Sequence, residues 1–375
     1  MQLEPTEQQT MIRNMVRDFS EQQLGPTAEH TDKTKEFPKD IITSMAGLGL
    51  LGITIPTDYG GAGLDIITYT LVIEELSRRC ASTGAITNVH NALVCYPLAT
   101  YGTEEQKKLY LPKLASGQIL GAFAATEAHA GSDLTHIQTT AKQTKDGYVL
   151  NGTKTFVTNG PQAGLILTLA KTEDDSISAF LLTPDIKGVK VGEQNDKLGL
   201  NGAHICSIQL KDVFVSADQL LGEKNKGLAI ALDAINLGRI GIAAQCVGIA
   251  DQALEESITY SQERVQFNRP LSAFQAIQNK LADMETNLQA ARQLTYHAAY
   301  QADKKRDIKK AAATAKLFAS SMCVEAALDA VQIHGGYGYT KEYIVERLYR
   351  DSKLTEIYEG TSDMQRLTIA KELLK

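Results

Sequence analysis

The sequence lacks the features that mark several common classes of protein. Its five cysteines (Cys80, Cys95, Cys206, Cys246 and Cys323) form no CxxC pair and show no metal-like spacing to histidine. They are interpreted as reduced, mostly buried thiols of a cytosolic protein. No run approaches the roughly 18 uninterrupted apolar residues of a membrane span, and the N-terminus has no apolar signal core. We therefore expect neither a membrane span nor a secretory leader.

Positive charge is also scarce. Lys and Arg total 38 against 44 Asp and Glu, which gives a formal net charge of −6 and a pI near 5.7. This balance argues against a nucleic-acid or anionic-membrane surface, although a local basic patch stays compatible with it. Hydrophobic residues make up 43% and charged residues 22%, as in ordinary globular proteins with a sizeable core. A length of 375 residues allows two or three structural units.

The hydrophobic pattern divides the chain into three parts. Residues 1–119 follow helical spacing, with Pro38 at a predicted helix start and Thr103 as the predicted cap of a helix over 104–115. Residues 120–222 change to short, alternating, β-branched segments that predict a compact β-barrel or sandwich. Residues 223–375 return to long helical patterns. The predicted fold class is mainly α with a central β domain.

Turn dipeptides and the spacing of apolar residues along the helices add detail to this division. The dipeptides Asp146-Gly147 and Asn151-Gly152 both predict hairpin turns. The C-terminal part has helical patterns over 227–262, 271–302 and 309–333. The apolar residues of the second pattern follow strict three-four spacing, which is typical of helices that pack in a bundle. Such seams often continue into contacts between subunits, so an oligomer is expected.

Two glycine-rich breaks interrupt the helical C-terminal part, GGYG at 335–338 and EGTS at 359–362. Glycine is costly in a helical neighbourhood, so paired breaks indicate a close approach of the backbone to a ligand or another segment. Thr361, Ser362 or Asp363 can cap a last helix, whose N-terminus attracts anions. Glu359 is thereby predicted to lie beside a binding site. The alternative is an acidic loop residue before a cap.

A second group of small and hydroxyl residues opens the β region. The segment 121–141 contains Thr126 and the run Gly-Ser-Asp at 131–133, where helix gives way to strand. These residues suit a flat, heteroaromatic, polar-edged ligand at a sheet edge. Downstream, Phe156 and Thr158 occupy alternating positions of a predicted strand. An equal alternative for 158–160 is a simple loop exit.

Together these stretches resemble one family, the acyl-CoA dehydrogenases. ATEAHAGSD (125–133) is similar to the family's T/S-E-P-x-A-G-S-D signature, and QIHGGYGY with IYEGTSDMQR is similar to its C-terminal signature. KLGLNGAH, GRIGIAAQ and ERVQFNRPL fall between them in family order, so the resemblance covers about residues 5–374. NLGRIGIAAQ (236–245) is most similar to the short-chain, butyryl-CoA-like subgroup. The resemblance implies an N-terminal helical domain (1–119), a middle β-barrel (120–222) and a C-terminal four-helix bundle (223–375).

The resemblance also implies FAD, held between the β domain and the C-terminal helices. The residues that would line the flavin ring are Phe123, Ala125, Thr126, Gly131, Ser132, Phe156, Val157 and Thr158. Those that would contact FAD of a neighbouring subunit are Arg264, Phe267, Gln275, Gln332, Gly335 and Gly336, while Thr361 and Asp363 would return to the cofactor. Those that would meet the acyl-CoA are Ser132, Asn236, Arg239, Tyr358 and Gly360.

Glu359 matches the family's catalytic base. In that role it takes the α-proton of the thioester while the β-carbon gives up a hydride, and the product is a trans-2-enoyl-CoA. The backbone N–H at the same position is implied as a donor to the thioester carbonyl. Desolvation beside the substrate should raise the pKa of Glu359. In the isovaleryl and long-chain branches of the family, the base is a glutamate just before the arginine that Arg239 matches. In this sequence that position is Gly238, which has no side chain and cannot act as a base.

The sequence departs from the family pattern at a few positions. Ala128 stands in place of the signature proline and Phe156 in place of the usual tryptophan. Both replacements keep small or aromatic character, so tuning of the site is expected rather than its loss. His129 and His334 flank the motifs, and a structural role is expected for each.

The family implies further expectations and leaves alternatives. The implied partners are an acyl-CoA substrate, an electron-transfer flavoprotein as acceptor, and identical subunits in a cytoplasmic homotetramer active in fatty-acid β-oxidation. No nucleic-acid partner and no metal are expected. The enzyme alternatives are a branched- or medium-chain acyl-CoA dehydrogenase and an acyl-CoA oxidase using O2; oxidases of this fold usually carry an extra C-terminal domain. A non-catalytic flavin- or CoA-binding relative and a purely structural helical bundle are the other classes.

Overall fold

The computed structural model describes residues 5–172 and 175–375. Helices form both ends of this chain and one sheet forms its middle, so the predicted fold class is confirmed. The first four residues of the predicted N-terminal domain, and residues 173–174 of the predicted β domain, lie outside the described residues.

The N-terminal part is a set of short and medium helices. They are α1 (Glu7–Phe19), α2 (Gly25–Thr34), α3 (Lys39–Gly47), α4 (Ile66–Arg79), α5 (Ala81–His90), α6 (Tyr96–Tyr101) and α7 (Glu104–Ala115). Thr103 caps α7 in a capping box with Gln106, and Pro38 occupies the N-cap of α3, as predicted. Single π-helical turns, Ser20–Leu24 and Asn91–Cys95, join α1 to α2 and α5 to α6.

The middle part forms an eight-stranded sheet. Its strands are β1 (Leu120–Ala124), β2 (Thr140–Gln143), β3 (Gly147–Thr158), β4 (Ala163–Lys171), β5 (Ile177–Leu182), β6 (Val189–Val191), β7 (Ile205–Ser216) and β8 (Leu220–Leu221). The order is β6-β7-β3-β2-β4-β5-β8, and β1 adds to β4 in parallel. The turn predicted at Asp146-Gly147 joins β2 to β3 and is confirmed.

The hairpin predicted at Asn151-Gly152 was wrong. Strand β3 runs through this dipeptide, and its register with β7 shifts between Leu150 and Gly152. A Cβ atom on Gly152 would lie 2.3 Å from Thr139 Oγ1 and 2.7 Å from Thr139 Cα. The glycine therefore serves a β-bulge and a close backbone approach, which leave the same local signature as a turn.

The C-terminal part is a bundle of long helices. It contains α8 (Gly227–Glu263), α9 (Gln275–Asp303), α10 (Lys309–His334), α11 (Val345–Leu354) and α12 (Ser362–Leu373). Helix α8 lies at its centre and packs against α9, α10 and the N-terminal helix α4. A short hairpin, β9 (Val265–Gln266) and β10 (Arg269–Pro270), separates α8 from α9, and the first glycine break forms a 3-10 turn, Gly335–Tyr339.

Two segments of the bundle are long and apolar enough to cross a membrane by length and composition alone. They are Gly227–Glu263 and Lys309–Tyr339, with mean hydropathies of 1.4 and 1.2. Within their most apolar windows, 78% and 56% of the residues are buried against the rest of the chain. The apolar surface of α8 is thus used largely in packing against its neighbours, as in the core helix of a bundle.

Candidate active site

The second glycine break forms a tight turn between α11 and α12. Glu359 and Gly360 both adopt left-handed backbone conformations, with φ of 51° and 98°. This region is uncommon for a glutamate, and such strain persists where surrounding contacts enforce it. Thr361 caps α12 by accepting a hydrogen bond from the Met364 N–H at 3.3 Å, as predicted for this residue.

Three side chains from three helices hold the two carbonyl groups of this turn. Arg239 Nε of α8 donates to the Glu359 carbonyl oxygen at 3.1 Å. Lys316 Nζ of α10 donates to the Gly360 carbonyl oxygen at 2.8 Å, and Gln365 Nε2 of α12 donates to the same oxygen at 2.7 Å. These donors fix the direction in which the Glu359 side chain leaves the backbone.

The carboxyl group of Glu359 points back against α8. Its Oε1 accepts a hydrogen bond from Asn88 Nδ2 at 3.2 Å, whereas its Oε2 is buried and has no partner among the described residues. A Cβ atom on Gly238 would lie only 2.0 Å from Oε2. The glycine of α8 therefore provides the space that the carboxyl group occupies.

Burial raises the pKa of the Glu359 carboxyl to about 8, although Arg239, Lys316 and the hydrogen bond from Asn88 each act to lower it. Lys316 is fully buried, and burial lowers the pKa of its ammonium group to about 8. A carboxylate with such a pKa is a far stronger proton acceptor than an exposed glutamate. The site therefore combines a basic oxygen, Oε2, with no competing hydrogen bond on it.

Residues beside Glu359 form a second polar pair on α8. The Tyr358 hydroxyl donates to Gln245 Oε1, and Gln245 Nε2 donates to the Ala81 carbonyl oxygen at 2.8 Å. Gln245 is fully buried and lies two helical turns beyond Gly238, on the same face of α8. This pair joins the turn at Glu359 to α8 and, through Ala81, to the start of α5.

Most residues predicted to meet an acyl-CoA gather around this turn. Asn236 and Arg239 are buried on α8, and Arg239 Nη1 donates to Asn236 Oδ1 at 3.0 Å. Tyr358 and Gly360 flank Glu359 in the turn itself. Ser132, by contrast, is exposed in the loop after β1.

The residues predicted to line a flavin ring lie along β1, the loop that follows it, and the end of β3. The Thr155 N–H donates to the Thr126 carbonyl oxygen at 2.9 Å, which brings these segments together. Phe156 has a φ of 55° and its ring is 64% exposed at this edge. Val157 is buried in the sheet core, so only its backbone can face a ligand.

A buried ion pair fixes the loop after β1. Lys154 of β3 is fully buried and its Nζ donates to Glu127 Oε1 at 2.8 Å and to the Ala125 carbonyl oxygen at 3.3 Å. Glu127 also accepts from the N–H groups of Gln138 and Thr139, at 2.5 Å and 3.0 Å. Burial lowers the pKa of Lys154 to about 8. The pair holds the backbone on either side of Thr126.

These features fit a bound FAD. Phe156 offers an exposed flat ring beside hydroxyl groups and backbone amides, which suit the face and the polar edges of a flavin. Near Glu359, the buried Ser362 Oγ at the start of α12 also has no partner among the described residues. An unsatisfied buried hydroxyl at a helix N-terminus, three residues after a glutamate whose Oε2 is also buried without a partner among the described residues, is consistent with a polar ligand there.

A second, exposed region contains the residues predicted to reach FAD of a neighbouring subunit. Phe267 is 87% exposed and, with Asn268, forms the two-residue turn of the β9-β10 hairpin, both with positive φ. Its ring lies 6.2 Å from that of Phe274, next to Gln275 at the start of α9. Arg264 lies over the Tyr337 ring of the first glycine break at 5.6 Å. The further members, Gln332, Gly335 and Gly336, are exposed there.

The two histidines beside the motifs take no part in the Glu359 cluster. His129 is exposed, while the His334 ring stacks on Tyr260 at 4.2 Å and its Nδ1–H donates to the Ala330 carbonyl oxygen at 2.8 Å. Asp363, predicted to touch the cofactor, is exposed and pairs with Arg366 at 3.1 Å.

Neither the motifs nor the spacing of residues in the sequence indicates Asn88, Lys316, Gln365 or the Glu127–Lys154 pair. One signal was available for Lys316, because it is a lone lysine in the apolar run AAATAKLFA of α10. A charged residue on an apolar stripe is expected to pair with something buried. Asn88 carried no comparable signal, because its partners come from α4, α8 and the turn before α12.

Comparisons with known proteins agree along the entire chain. Residues 6–118, 122–213 and 225–374 match the family models "Acyl-CoA dehydrogenase, N-terminal domain", "middle domain" and "C-terminal domain". An acyl-CoA dehydrogenase of Bacillus subtilis is 49% identical, covering 98% of both chains. A 3-(aryl)acrylate reductase of Clostridium sporogenes is 46% identical, covering 99% of both.

Two solved structures show the same fold. Butyryl-CoA dehydrogenase from Megasphaera elsdenii superposes with a TM-score of 0.98 at 38% identity. A chain in a structure of the electron transferring flavoprotein of Acidaminococcus fermentans gives a TM-score of 0.98 at 42% identity. Both matches cover 100% of this chain and 100% of the other.

Proposed function

This chain belongs to the acyl-CoA dehydrogenase family, and from that membership we propose that it oxidises a short-chain acyl-CoA to a trans-2-enoyl-CoA and passes the electrons to an electron-transfer flavoprotein. The enzyme is a flavin-dependent oxidoreductase that acts on a CH–CH bond, and FAD is its cofactor. When bound, FAD supplies the acceptor for the hydride that leaves the β-carbon.

The observation that carries the proposal is the free, buried Oε2 of Glu359. Proton removal from the α-carbon of a thioester needs a desolvated base close to that carbon. Oε2 meets this requirement, because it is buried and unpartnered in a carboxyl group whose pKa is raised to about 8. We therefore assign Glu359 as the catalytic base. The family's alternative base position holds Gly238, which has no side chain to compete.

The backbone of the same turn can stabilise the charge that develops on the thioester oxygen. The Glu359 N–H donates to no backbone acceptor within the described residues. A free N–H beside the base is suited to the carbonyl oxygen of the substrate, where a fixed donor is most effective as negative charge appears. The buried Asn236 and Arg239 are assigned to bind the acyl-CoA next to this turn.

The proposal of a short acyl group rests on the Tyr358–Gln245 pair. Its hydrogen bonds hold Tyr358 and the fully buried Gln245 together beside the turn at Glu359, and we propose that these two side chains limit the length of the acyl group. The likeness to butyryl-CoA dehydrogenase supports the same length. One methylene is worth only about 1–3 kcal/mol in such a pocket, so a preference among neighbouring lengths is expected rather than absolute selection.

FAD is proposed to lie between the β1–β3 edge and the turn at Glu359. Phe123, Ala125, Thr126, Gly131, Ser132, Phe156, Val157 and Thr158 are assigned to the flavin end. Thr361 and Asp363 are assigned from the start of α12. The exposed region with Arg264, Phe267, Gln275, Gln332, Gly335 and Gly336 is assigned to FAD of a neighbouring subunit, in a homotetramer. The strong exposure of Phe267 supports an intersubunit role.

The remaining parts of the proposal are the electron acceptor, the location in the cell, the domain boundaries and the pathway. Electron transfer to a flavoprotein is supported by the likeness to a chain of the Acidaminococcus fermentans structure. The five free, buried cysteines support a cytoplasmic location, where thiols stay reduced. Domain boundaries after residues 119 and 222 and a role in fatty-acid β-oxidation complete the proposal.

The visible spectrum tests the central claim. Purified protein should be yellow, and anaerobic butyryl-CoA should bleach it at once. The Glu359→Gln variant should keep the yellow cofactor and lose nearly all bleaching, because an amide cannot accept the proton. Wild-type turnover in that variant would refute the base assignment.

A second substrate class is favoured by one comparison. The 46% identity to a 3-(aryl)acrylate reductase makes aryl thioesters the second candidates. If the protein stays yellow with butyryl-CoA but bleaches with a 3-arylpropionyl thioester, the short-chain assignment fails and the dehydrogenase assignment stands. Rapid formation of hydrogen peroxide in air would show that O2 accepts the electrons, as in an oxidase, in place of an electron-transfer flavoprotein. If no thioester bleaches the protein, the catalytic proposal fails.

A further inference from the structure

We propose that Asn88, held in place by Tyr69, is a positioning residue for Glu359. It anchors the carboxyl group through Oε1 and thereby leaves Oε2 as the oxygen that takes the substrate proton. The inference rests on the proposed function, in which Glu359 is the base. It adds two side chains, from α4 and α5, that neither the motifs nor the family signatures indicate.

The orientation of the Asn88 amide follows from its neighbours. Asn88 is fully buried, and its Nδ2 donates to Glu359 Oε1 at 3.2 Å and to the Gly238 carbonyl oxygen at 3.3 Å. A carbonyl oxygen can only accept, so the NH2 group must face Gly238 and Glu359. The other end, Oδ1, accepts from the Tyr69 hydroxyl, which is also fully buried. The Gly238 carbonyl oxygen fixes this orientation of the amide, and the hydrogen bond from Tyr69 holds its Oδ1 end in place.

Two glycines of α8 provide room for this chain of hydrogen bonds. A Cβ atom on Gly241 would lie 2.1 Å from Asn88 Oδ1 and 2.3 Å from the Tyr69 hydroxyl oxygen. A Cβ atom on Gly238 would lie 2.0 Å from Glu359 Oε2. Residues three apart lie on one face of a helix, so the two glycines form one groove along α8. The Tyr69–Asn88–Glu359 chain occupies that groove from end to end.

The charged and titratable groups around Glu359 act on it in different ways. Arg239 of α8 and Lys316 of α10 favour the ionised carboxyl group, but their hydrogen bonds go to the backbone carbonyls of the turn. Burial, and in second place the charge of Glu359, raise the pKa values of Tyr69 of α4 and of the adjacent Tyr358, and Gln365 of α12 is uncharged. Among the described residues, only Asn88 hydrogen-bonds the carboxyl group itself.

The chemical consequence has a definite sign. An amide N–H only donates, and at Oε1 it stabilises the ionised carboxylate more strongly than the neutral acid. Without Asn88, the carboxyl group loses both its anchor and this stabilisation. Its pKa then rises further, and at neutral pH a smaller fraction is ionised and a smaller fraction is correctly oriented. Turnover should fall mainly through kcat, since Asn88 acts through Glu359.

The test compares holoenzyme variants by two measurements. The first is deuterium exchange at the α-carbon of butyryl-CoA as a function of pH, which reports proton removal alone. The second is the carboxyl infrared band of Glu359 as a function of pH, obtained by subtracting the spectrum of Glu359→Gln. In Asn88→Ala, both titrations should move up by about one to two pH units, as expected for loss of a hydrogen bond to a charged group.

Three further variants sharpen the test. Asn88→Asp should move the titrations further up, because a second carboxylate faces the first. Tyr69→Phe keeps the packing of the ring and should give a smaller upward shift; it also serves if the Asn88 variants do not fold. Asn91→Ala is the matched control, because Asn91 binds only backbone groups, including the Leu50 carbonyl oxygen at 3.2 Å. It should lower the melting temperature and leave both titrations in place.

The outcomes separate the inference from the function on which it rests. If Asn88→Ala lowers activity equally at all pH values and leaves the infrared titration unmoved, Asn88 is merely structural and the inference is wrong. If the wild-type holoenzyme exchanges no α-hydrogen with any acyl thioester, the proposed function fails. The infrared titration then still decides whether Asn88 controls the ionisation of Glu359.

Discussion

Replacing Gly238 by alanine tests the space on which the proposed base depends. The added methyl carbon would lie 2.0 Å from Glu359 Oε2, 2.8 Å from Glu359 Cδ and 3.0 Å from Leu93 Cδ2. Ordinary contacts between heavy atoms begin at about 3.5 Å, so the carboxyl oxygen must retreat by about 1.5 Å. The end of a flexible glutamate side chain can make this movement, whereas the backbone of α8, which is buried throughout residues 234–250, cannot.

The expected magnitudes separate catalysis from stability. A displacement of about 1 Å from the reactive geometry costs about 100-fold in rate, so bleaching by butyryl-CoA should slow at least that much. Overpacking costs about 1–3 kcal/mol, while alanine in place of glycine returns about 1 kcal/mol to the helix. The net loss of unfolding free energy should therefore stay below about 2 kcal/mol. The hydrogen bond from Asn88 to Oε1 is lost or lengthened as the group moves.

The assay is the rate of anaerobic flavin bleaching at saturating butyryl-CoA, with thermal and denaturant unfolding measured on the same preparation. Gly47→Ala in α3 is the matched control, because a Cβ atom there meets nothing within 4 Å. It should leave both quantities near their wild-type values. A Gly238→Ala enzyme that bleaches within a few-fold of wild type would show that Glu359 does not act from the position described.

Three other predictions address charge and ionisation. Glu359→Gln should have a higher melting temperature than wild type at alkaline pH and a similar one at acid pH. Burial raises the pKa of Glu359 in the folded protein from 4.5 to about 8, so its contribution to wild-type stability is fully present below about pH 4.5 and is lost as the pH rises to about 8. The same difference in melting temperature at every pH would contradict the raised pKa. Lys316→Met removes an ammonium group that lowers the pKa of Glu359, so the acidic limb of the pH profile of the bleaching rate should move to higher pH. An unchanged pH profile would show that Lys316 only supports the turn. Lys154→Met leaves Glu127 buried without its cation, which should lower the free energy of unfolding by about 3–5 kcal/mol and reduce the FAD retained after gel filtration. The double variant with Glu127→Gln should recover part of the stability and part of the FAD retention. Full FAD retention in Lys154→Met alone would refute the role of the pair.

The features that the sequence predicted correctly are local ones. Thr103 and Thr361 cap helices because each is followed by a helix-forming run, and the Asp146-Gly147 turn lies between two alternating segments. The spacing of apolar residues changes near residue 120 from a period of 3.6 to a period of 2, and this change predicts the central β domain. In each case the information lies within a few residues of the feature.

The features that it could not predict depend on packing between distant segments. Gly152 has the composition of a turn, but Thr139, from the segment before β2, requires its lack of a side chain. The Tyr69–Asn88–Glu359 chain joins three segments whose proximity is set only when α4 and α5 pack on α8. The left-handed φ of Glu359 likewise depends on hydrogen bonds from Arg239 and Lys316, which are both distant in sequence from the turn.

The groove at Gly238 also bears on how the family can differ internally. A side chain placed at position 238 would begin at the point where the Glu359 carboxyl oxygen now lies, although the two residues are far apart in the chain. A helix residue and a turn residue therefore converge on one position in space from opposite sides. Relatives with glutamate before the arginine can thus deliver a carboxylate to the same region from the helix, provided that the turn residue withdraws. The location of the proposed proton acceptor is thus a property of the fold, and a carboxylate from either of two segments can occupy it.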